Sequence, residues 1–394
     1  MTSRIDSLDF LRGTAVLGML IANVPWHTGT SMSRMHEVDA TSVLAWLLQY
    51  SVVDQRFMPV FAMLFGAGLL ILAQGREAAP GFKSFFVRRM GLLFLIGLVH
   101  AYLIWPGDIL LTYAICGPIL LLFLRSGPAT LFAVGVLLKI LHIAILQWPA
   151  IYDQTLDRVL FAWWLEIGDP PMSEAAAYAG SYADLFAFNV WQNLHLQITA
   201  MFDWRIWDAL GFMLIGMAFY RWGILQGTAP GKFYRRMLLI GLTVGLPTLI
   251  YGLLARIGAS ETVGPFLGWQ VDWPLQGLAH NVGTGFTSIA LLAALVLGFR
   301  DAGNAAWLSP IKAVGRMALT NYVMHSVIFL VIFAVFDWVP YDSLDPDDRL
   351  LWVLAIWAVQ LVLSPVWLKL FGQGPLEGLW RRLAGAGPLR RSGS

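Results

Sequence analysis

The chain has 394 residues and a single cysteine, Cys116, which excludes an intramolecular disulfide and any cysteine-based metal cluster. Charge is scarce too: charged residues make up 13% of the chain, against about 25% in soluble domains. No HxxxH or HxH pair offers metal-ligand spacing, no glycine-rich nucleotide fingerprint occurs, and no internal repeat stands out. The opening MTSRIDSLDFLRG lacks a signal-peptide cleavage site. Its apolar part carries Arg12 and runs on as a full-length span, so the first helix is expected to be retained. A net charge of +2 gives no reason to expect a nucleic-acid partner.

What fills the chain instead is apolar. Hydrophobic residues reach 58%, above the roughly 45–50% of soluble domains, in runs long enough to cross a bilayer core of about 30 Å. Many of the 18 tryptophans stand near the ends of these runs, as in an interfacial aromatic belt. The expected fold class is all-α: a polytopic transmembrane helix bundle of about ten spans, near 8–26, 57–74, 87–105, 108–124, 128–148, 204–222, 235–255, 284–299, 314–337 and 350–371. A short apolar segment at 42–53 makes eleven the competing count. Alternating the loops puts 19 of the 26 Lys and Arg residues on the side of the N-terminus, which the positive-inside rule assigns to the cytoplasm. Both termini are then cytoplasmic. The long external segment at 149–203 should form short interfacial helices. The organisation expected is a membrane half at 1–203, a second at 204–383 and a disordered basic tail at 384–394.

Titratable residues inside such spans are costly and tend to be functional. In GLVHAYLIWPGDILLTY, His100 lies about 7–8 Å below the outer interface at 1.5 Å per residue. The Pro106-Gly107 turn brings Asp108 back beside it. A histidine oriented by a carboxylate is a usual general base. The plainer alternatives are that Asp108 caps the next helix and that His100 makes a structural hydrogen bond. Asn23, His27, Asp54 and His280 stand at the same outer level, and a solvated helix end would explain His27 and His280 equally well. On the inner side Asp9 and Arg12 share a helix face, and Arg88, Arg89 and Arg316 begin spans. Interfacial snorkelling accounts for such arginines without a site. Asn321 and His325 share one face at mid-membrane. Together these make a polar column, basic at its cytoplasmic mouth and His/Asp-rich at its outer end.

The motifs SLDFLRGTAVLGMLIAN, RFMPVFAMLFGAGL, RRMGLLFLIGLVHAYLIWPGDILLTYAICG, GRMALTNYVMHSVI and FGQGPLEGLWRR occur in the order found in YeiB-type bacterial membrane proteins, the DUF418 family, which the chain resembles nearly end to end. That family is similar to a broader superfamily of transmembrane acyltransferases, among them heparan-α-glucosaminide N-acetyltransferase. The resemblance implies a multi-pass protein of the bacterial inner membrane that moves an acyl group from cytoplasmic acyl-CoA (acetyl-CoA) to a small-molecule, lipid or glycan acceptor. It marks Asp9, Arg12, Asn23, Phe65, Gly66, His100, Asp108, Tyr113, Arg316, Asn321 and Tyr322 as motif positions. In the family His325 is more often glutamine, which leaves His100 the stronger base. On this reading Arg12, Arg316, Arg88 and Arg89 hold CoA phosphates, His100 with Asp108 deprotonates the acceptor, and Asn23, Asn321 or Tyr113 stabilises the oxyanion. No metal is called for, and a homo-oligomer is compatible. The alternatives are a proton-coupled transporter or exporter of a small metabolite, using His100 and His325, and a scaffold for envelope proteins.

Overall fold

The computed structural model describes residues 5–29, 56–76, 79–152, 168–258, 273–303, 305–336, 338–341 and 343–385. Every regular element among them is helical. In chain order these are α1 (Asp6–Thr28), α2 (Phe57–Ala73), α3 (Phe82–Leu103), α4 (Leu110–Leu120), α5 (Pro128–Tyr152), α6 (Glu174–Ala179), α7 (Tyr182–Leu194), α8 (Ile206–Arg221), α9 (Gly231–Gly258), α10 (Trp273–Ala302), α11 (Leu308–Arg316), α12 (Ala318–Leu330), α13 (Pro346–Phe371) and α14 (Pro375–Ala384). Where they fall among the described residues, the stretches expected as spans are largely helical. Among the described residues, seven helical stretches are long and apolar enough to cross a membrane, from α1, α3, α5, α9, α10, α13 and α12 with its π-helical extension to Val335; α2 and α4 are shorter apolar helices. This is the make-up of a multi-pass membrane protein. The segment at 42–53 and Asp54 lie outside the described residues.

Local chemistry places the ends. Asp6 and Asp9 occupy the first turn of α1, where carboxylates complement the helix dipole. Pro346 opens α13 after Asp345, and Gly372 closes it with φ 75°. One expectation is corrected here. The span drawn at 314–337 is two elements, because Met317 adopts φ −113°, ψ 33° and turns the chain between α11 and α12. Arg316 therefore ends an amphipathic nine-residue helix rather than beginning a span.

With no hydrophobic drive between helices in lipid, close packing rests on small residues. A Cβ on Gly66 of α2 would lie 2.1 Å from the Met213 carbonyl oxygen of α8, and one on Gly216 would lie 2.0 Å from that of Met63. The two backbones therefore meet. The crossing of α1 and α11 is as tight, at Gly13 and Gly315. α8 is buried from Ala209 to Phe219, packed against both α2 and α5, while α9 and α10 form an antiparallel pair. The two halves of the chain thus interleave, since α8 sits among N-terminal helices and α1 lies on α11, α12 and α13.

Basic side chains gather at the end where α1 begins. Lys312 pairs with Asp6, and Arg316 donates to the Gly372 carbonyl. Arg88 donates to the Ala384 carbonyl, and Trp380 donates to the Arg89 carbonyl at 2.7 Å. α14, at the C-terminal side, is thereby clasped to the starts of α3 and α12. The expected short helices of 149–203 are α6 and α7, which lie over the opposite end.

Candidate functional site

The opposite end holds a buried polar cluster built from three chain-distant pieces. α3 delivers His100 in its last turn. That turn is pinned by α7: Asn193 donates to the Ala101 carbonyl and Tyr182 to the Leu103 carbonyl, both at 2.7 Å. These are carbonyls that a helix end leaves without partners. The chain then reverses through Trp105, Pro106 and Gly107. A Cβ on Gly107 would strike the Trp105 ring at 2.1 Å, so the reversal needs glycine.

Asp108 follows and splits its carboxylate between two tasks. Oδ2 accepts from the Leu111 N–H at 2.7 Å, capping α4. Oδ1 lies 2.8 Å from His100 Nδ1. Cap and histidine partner, set out above as alternatives, are both realised. Arg205, just before α8, donates to the Asp108 carbonyl at 3.1 Å and fixes the start of α4 from outside.

The second ring nitrogen of His100 faces a residue that the motifs did not single out. His100 Nε2 lies 3.0 Å from Ser326 Oγ on α12. His100, Asp108 and Ser326 are 1%, 0% and 2% exposed. With the carboxylate charged and the ring neutral, Nδ1–H would donate to Asp108, and Nε2 would accept from the Ser326 hydroxyl. Carboxylate, imidazole and hydroxyl form a serine–histidine–aspartate relay, a constellation recognised by geometry rather than chain order. Tyr322, one turn before Ser326, accepts from the Ile109 N–H at 3.3 Å and sets its ring 5.2 Å from that of His100.

Of the other expected residues, some join this cluster and some do not. His27 is buried rather than solvated, with Trp105 at 4.0 Å and Phe329 at 4.9 Å between ring centres. Asn23 lies half-buried one turn earlier on α1. Tyr113 donates to the Met58 carbonyl at 3.5 Å and packs on Phe61 and Phe65 of α2. Asn321 and His325 are buried, but they face α13. Asn321 bonds Ser364 Oγ and the Val314 carbonyl, and His325 Nε2 meets Gln360 Oε1 at 3.1 Å. The reason is helical phase: Tyr322 and Ser326 form the stripe beside them, and that stripe looks at α3. His280 is half-buried on α10 opposite Gly252 of α9. At the basic end Asp9 pairs with Arg12 at 3.4 Å, and the Arg89 guanidinium lies 3.6 Å from the centre of the Trp380 ring. Among the described residues no group of three or more His, Cys, Asp or Glu side chains could hold a metal ion.

A second ionisable cluster escaped the reading of the sequence. Lys139 of α5 pairs with Asp208 of α8, and His142 Nδ1 lies 3.1 Å from Lys139 Nζ and 3.3 Å from Asp208 Oδ1. Its signal was available, since Lys139 and His142 interrupt the apolar run GVLLKILHIAI. Ser326 left no such signal, because serine is ordinary in a membrane helix until its partner is known.

Residues 219–386 match the family model described as "Protein of unknown function (DUF418)". Over that region the chain is similar to the DUF418 family. It is 29% identical to YeiB of Escherichia coli strain K12 over 403 residues, covering 95% of this chain and 94% of that protein. It is 27% identical to YxaH of Bacillus subtilis strain 168, covering 95% and 93%. A 39.9 kDa protein of Bacillus acidopullulyticus, encoded in the amylase 3′ region, is 28% identical over 96% and 92%. All three are described as uncharacterized. The matched region takes in Ser326 and the basic end at α11–α14, while His100 and Asp108 precede it.

Proposed function

We propose that this protein is a transmembrane acyltransferase of the bacterial inner membrane, with ten crossings and both termini cytoplasmic. It would take an acyl group, acetyl in the simplest case, from cytoplasmic acyl-CoA and pass it to a small-molecule, lipid or glycan acceptor at the outer end of the bundle. The observation that carries this reading is the buried His100, held at 2.8 Å by Asp108 and at 3.0 Å by a hydroxyl. Such an imidazole is oriented and tautomerically set to take a proton.

Support for the donor comes from the basic end. A guanidinium carries five N–H donors, and Arg88 and Arg89 hold α14 through one hydrogen bond and one ring face. With Arg12 and Arg316 they make a cationic rim suited to CoA phosphates. Of the oxyanion candidates, Tyr113 and Asn321 are engaged with α2 and with α13, which leaves Asn23 nearest to the His27 level.

A proton-coupled transporter remains the second reading, favoured by the Lys139–Asp208–His142 cluster, since ionisable groups in mid-membrane also mark proton relays. Thiol release from acetyl-CoA separates the two. Purified wild-type protein in nanodiscs is expected to release thiol above background, and His100→Ala to lose it by about 100-fold or more. Neither thiol release nor CoA binding in the same samples would move the assignment to transport.

A further inference from the structure

Resting on the acyl-transfer reading, we propose that Ser326 is the nucleophile of this site and that transfer passes through an acyl-serine on α12. A general base acting directly on the acceptor needs His100 and Asp108 alone. This site has a third member, and its hydroxyl is placed against the base.

Among the buried helical hydroxyls whose hydrogen bonds are described, Ser326 is set against an imidazole. Three buried helical hydroxyls return to the carbonyl one turn back, Thr28 to Val24 at 2.9 Å, Thr287 to Gly283 at 2.7 Å and Ser288 to Thr284 at 2.7 Å, while Thr112, Thr320 and Ser364 reach side chains of other helices or segments, none of them a histidine. The return to the carbonyl is the ordinary way a helical serine or threonine satisfies itself away from water. Ser326 departs from it and gives its hydrogen bond to His100 Nε2, across 226 residues of chain. The relay is held rigid from both sides, by the Leu111 N–H on Asp108 and by the backbone of α3 pinned through Asn193. Depth supplies a reason for a covalent relay. Ser326 stands eight residues into α12, about 12 Å from the basic end at 1.5 Å per residue. A thioester brought in from that end meets Ser326 on the way to an acceptor on the far side.

The step balances without a further reagent. Ser326 Oγ attacks the thioester carbonyl while His100 Nε2 takes the hydroxyl proton, and Asp108 stabilises the imidazolium. The new O–C bond forms, the C–S bond breaks, and the proton passes from His100 to the CoA sulfur, which leaves as thiol. In the second half the acceptor O–H or N–H loses its proton to His100. Its heteroatom bonds the acyl carbon, the Ser326 O–C bond breaks, and the proton returns to Ser326.

The test uses full-length protein in nanodiscs with acetyl-CoA carrying a labelled acetyl group, without added acceptor. Wild type is expected to keep label through acid denaturation, release it to hydroxylamine, and carry it on the peptide containing Ser326, with one thiol released per label. Ser326→Ala and His100→Ala should each lose it by about 100-fold or more, and Asp108→Asn should slow its appearance. Ser326→Cys should take label as a thioester, more labile to neutral hydroxylamine, and it keeps the test decisive if Ser326→Ala unfolds. Wild-type thiol release with no label on Ser326, or undiminished acetyl transfer by a folded Ser326→Ala, overturns the nucleophile and leaves His100 acting directly on the acceptor. A wild type that neither binds CoA nor releases thiol removes the acyl-CoA reading, and the acyl-serine with it.

Discussion

His100 spends both ring nitrogens on side chains, and each bond makes a different demand. Asp108→Asn keeps the shape but can present its amide N–H to Nδ1, which favours the wrong tautomer. Activity should fall by about 10³–10⁴-fold while thermal unfolding stays close to wild type. Glu377 is structural by contrast. Its Oε1 accepts from the Leu319 and Thr320 N–H groups, and Oε2 takes the Thr320 hydroxyl at 2.6 Å, so α14 supplies the cap of α12. Glu377→Ala should cost about 1–2 kcal/mol, read as a lower Tm, with His100 chemistry intact per folded molecule. Removing Lys139 leaves the Asp208 carboxylate between α5 and α8 with His142 as its remaining partner in the cluster. Lys139→Met should destabilise by on the order of 3 kcal/mol, and Lys139→Met with Asp208→Leu should recover most of it. Much of the site was legible at this scale: His100 and Asp108 are eight residues apart around a Pro-Gly turn, so their meeting follows from local geometry. Ser326 was not legible, because its meeting with His100 depends on how α12 rotates against α3.

Helix crossings decide more than helix composition. Gly66 and Gly68 look alike in FGAGLL, yet a Cβ at Gly68 meets only an Arg12 guanidinium nitrogen at 3.8 Å, whereas at Gly66 it meets backbone at 2.1 Å. Gly66→Ala should therefore sharply reduce folded protein on size-exclusion chromatography, and Gly68→Ala should leave it unchanged. α7 starts with a capping box in which the Ser181 hydroxyl and N–H both donate to Asp184. The Ser181 hydroxyl, then its N–H, holds the Asp184 carboxyl below its ordinary 3.8. A lowered carboxylate adds stability above its unfolded value and loses it as pH falls through the folded one. Hydrogen exchange at the start of α7 should therefore quicken only below about pH 4, and Ser181→Ala, which keeps the backbone N–H, should weaken that dependence. The apolar runs were readable as helices because their length and composition leave few alternatives in lipid. The break at Met317 was not, since nothing in GRMAL resembles a helix stop; the turn accompanies the close approach of Gly315 to Asp9.

For the whole molecule, the contacts place the beginning of α1 and all of α14 at one end, with the relay and α6–α7 at the other. The proposed orientation, taken from the positive-inside rule, makes the first end cytoplasmic. With Cys116 replaced by serine, a membrane-impermeant maleimide on intact cells should label a cysteine at Ser343 and spare one at Arg382. Reversed labelling would invert the bundle and put the arginine rim outside. On the proposed reading, acyl donor and acceptor reach the reacting serine from opposite ends of the bundle. Sealed vesicles of one orientation, carrying wild type or His100→Ala, address it through the side from which acetyl-CoA must be supplied. Acetyl transfer is expected when acetyl-CoA is given on the side of the N-terminus, absent when it is given on the other, and lost in His100→Ala. Equal transfer from both sides, or transfer that survives His100→Ala, would contradict it.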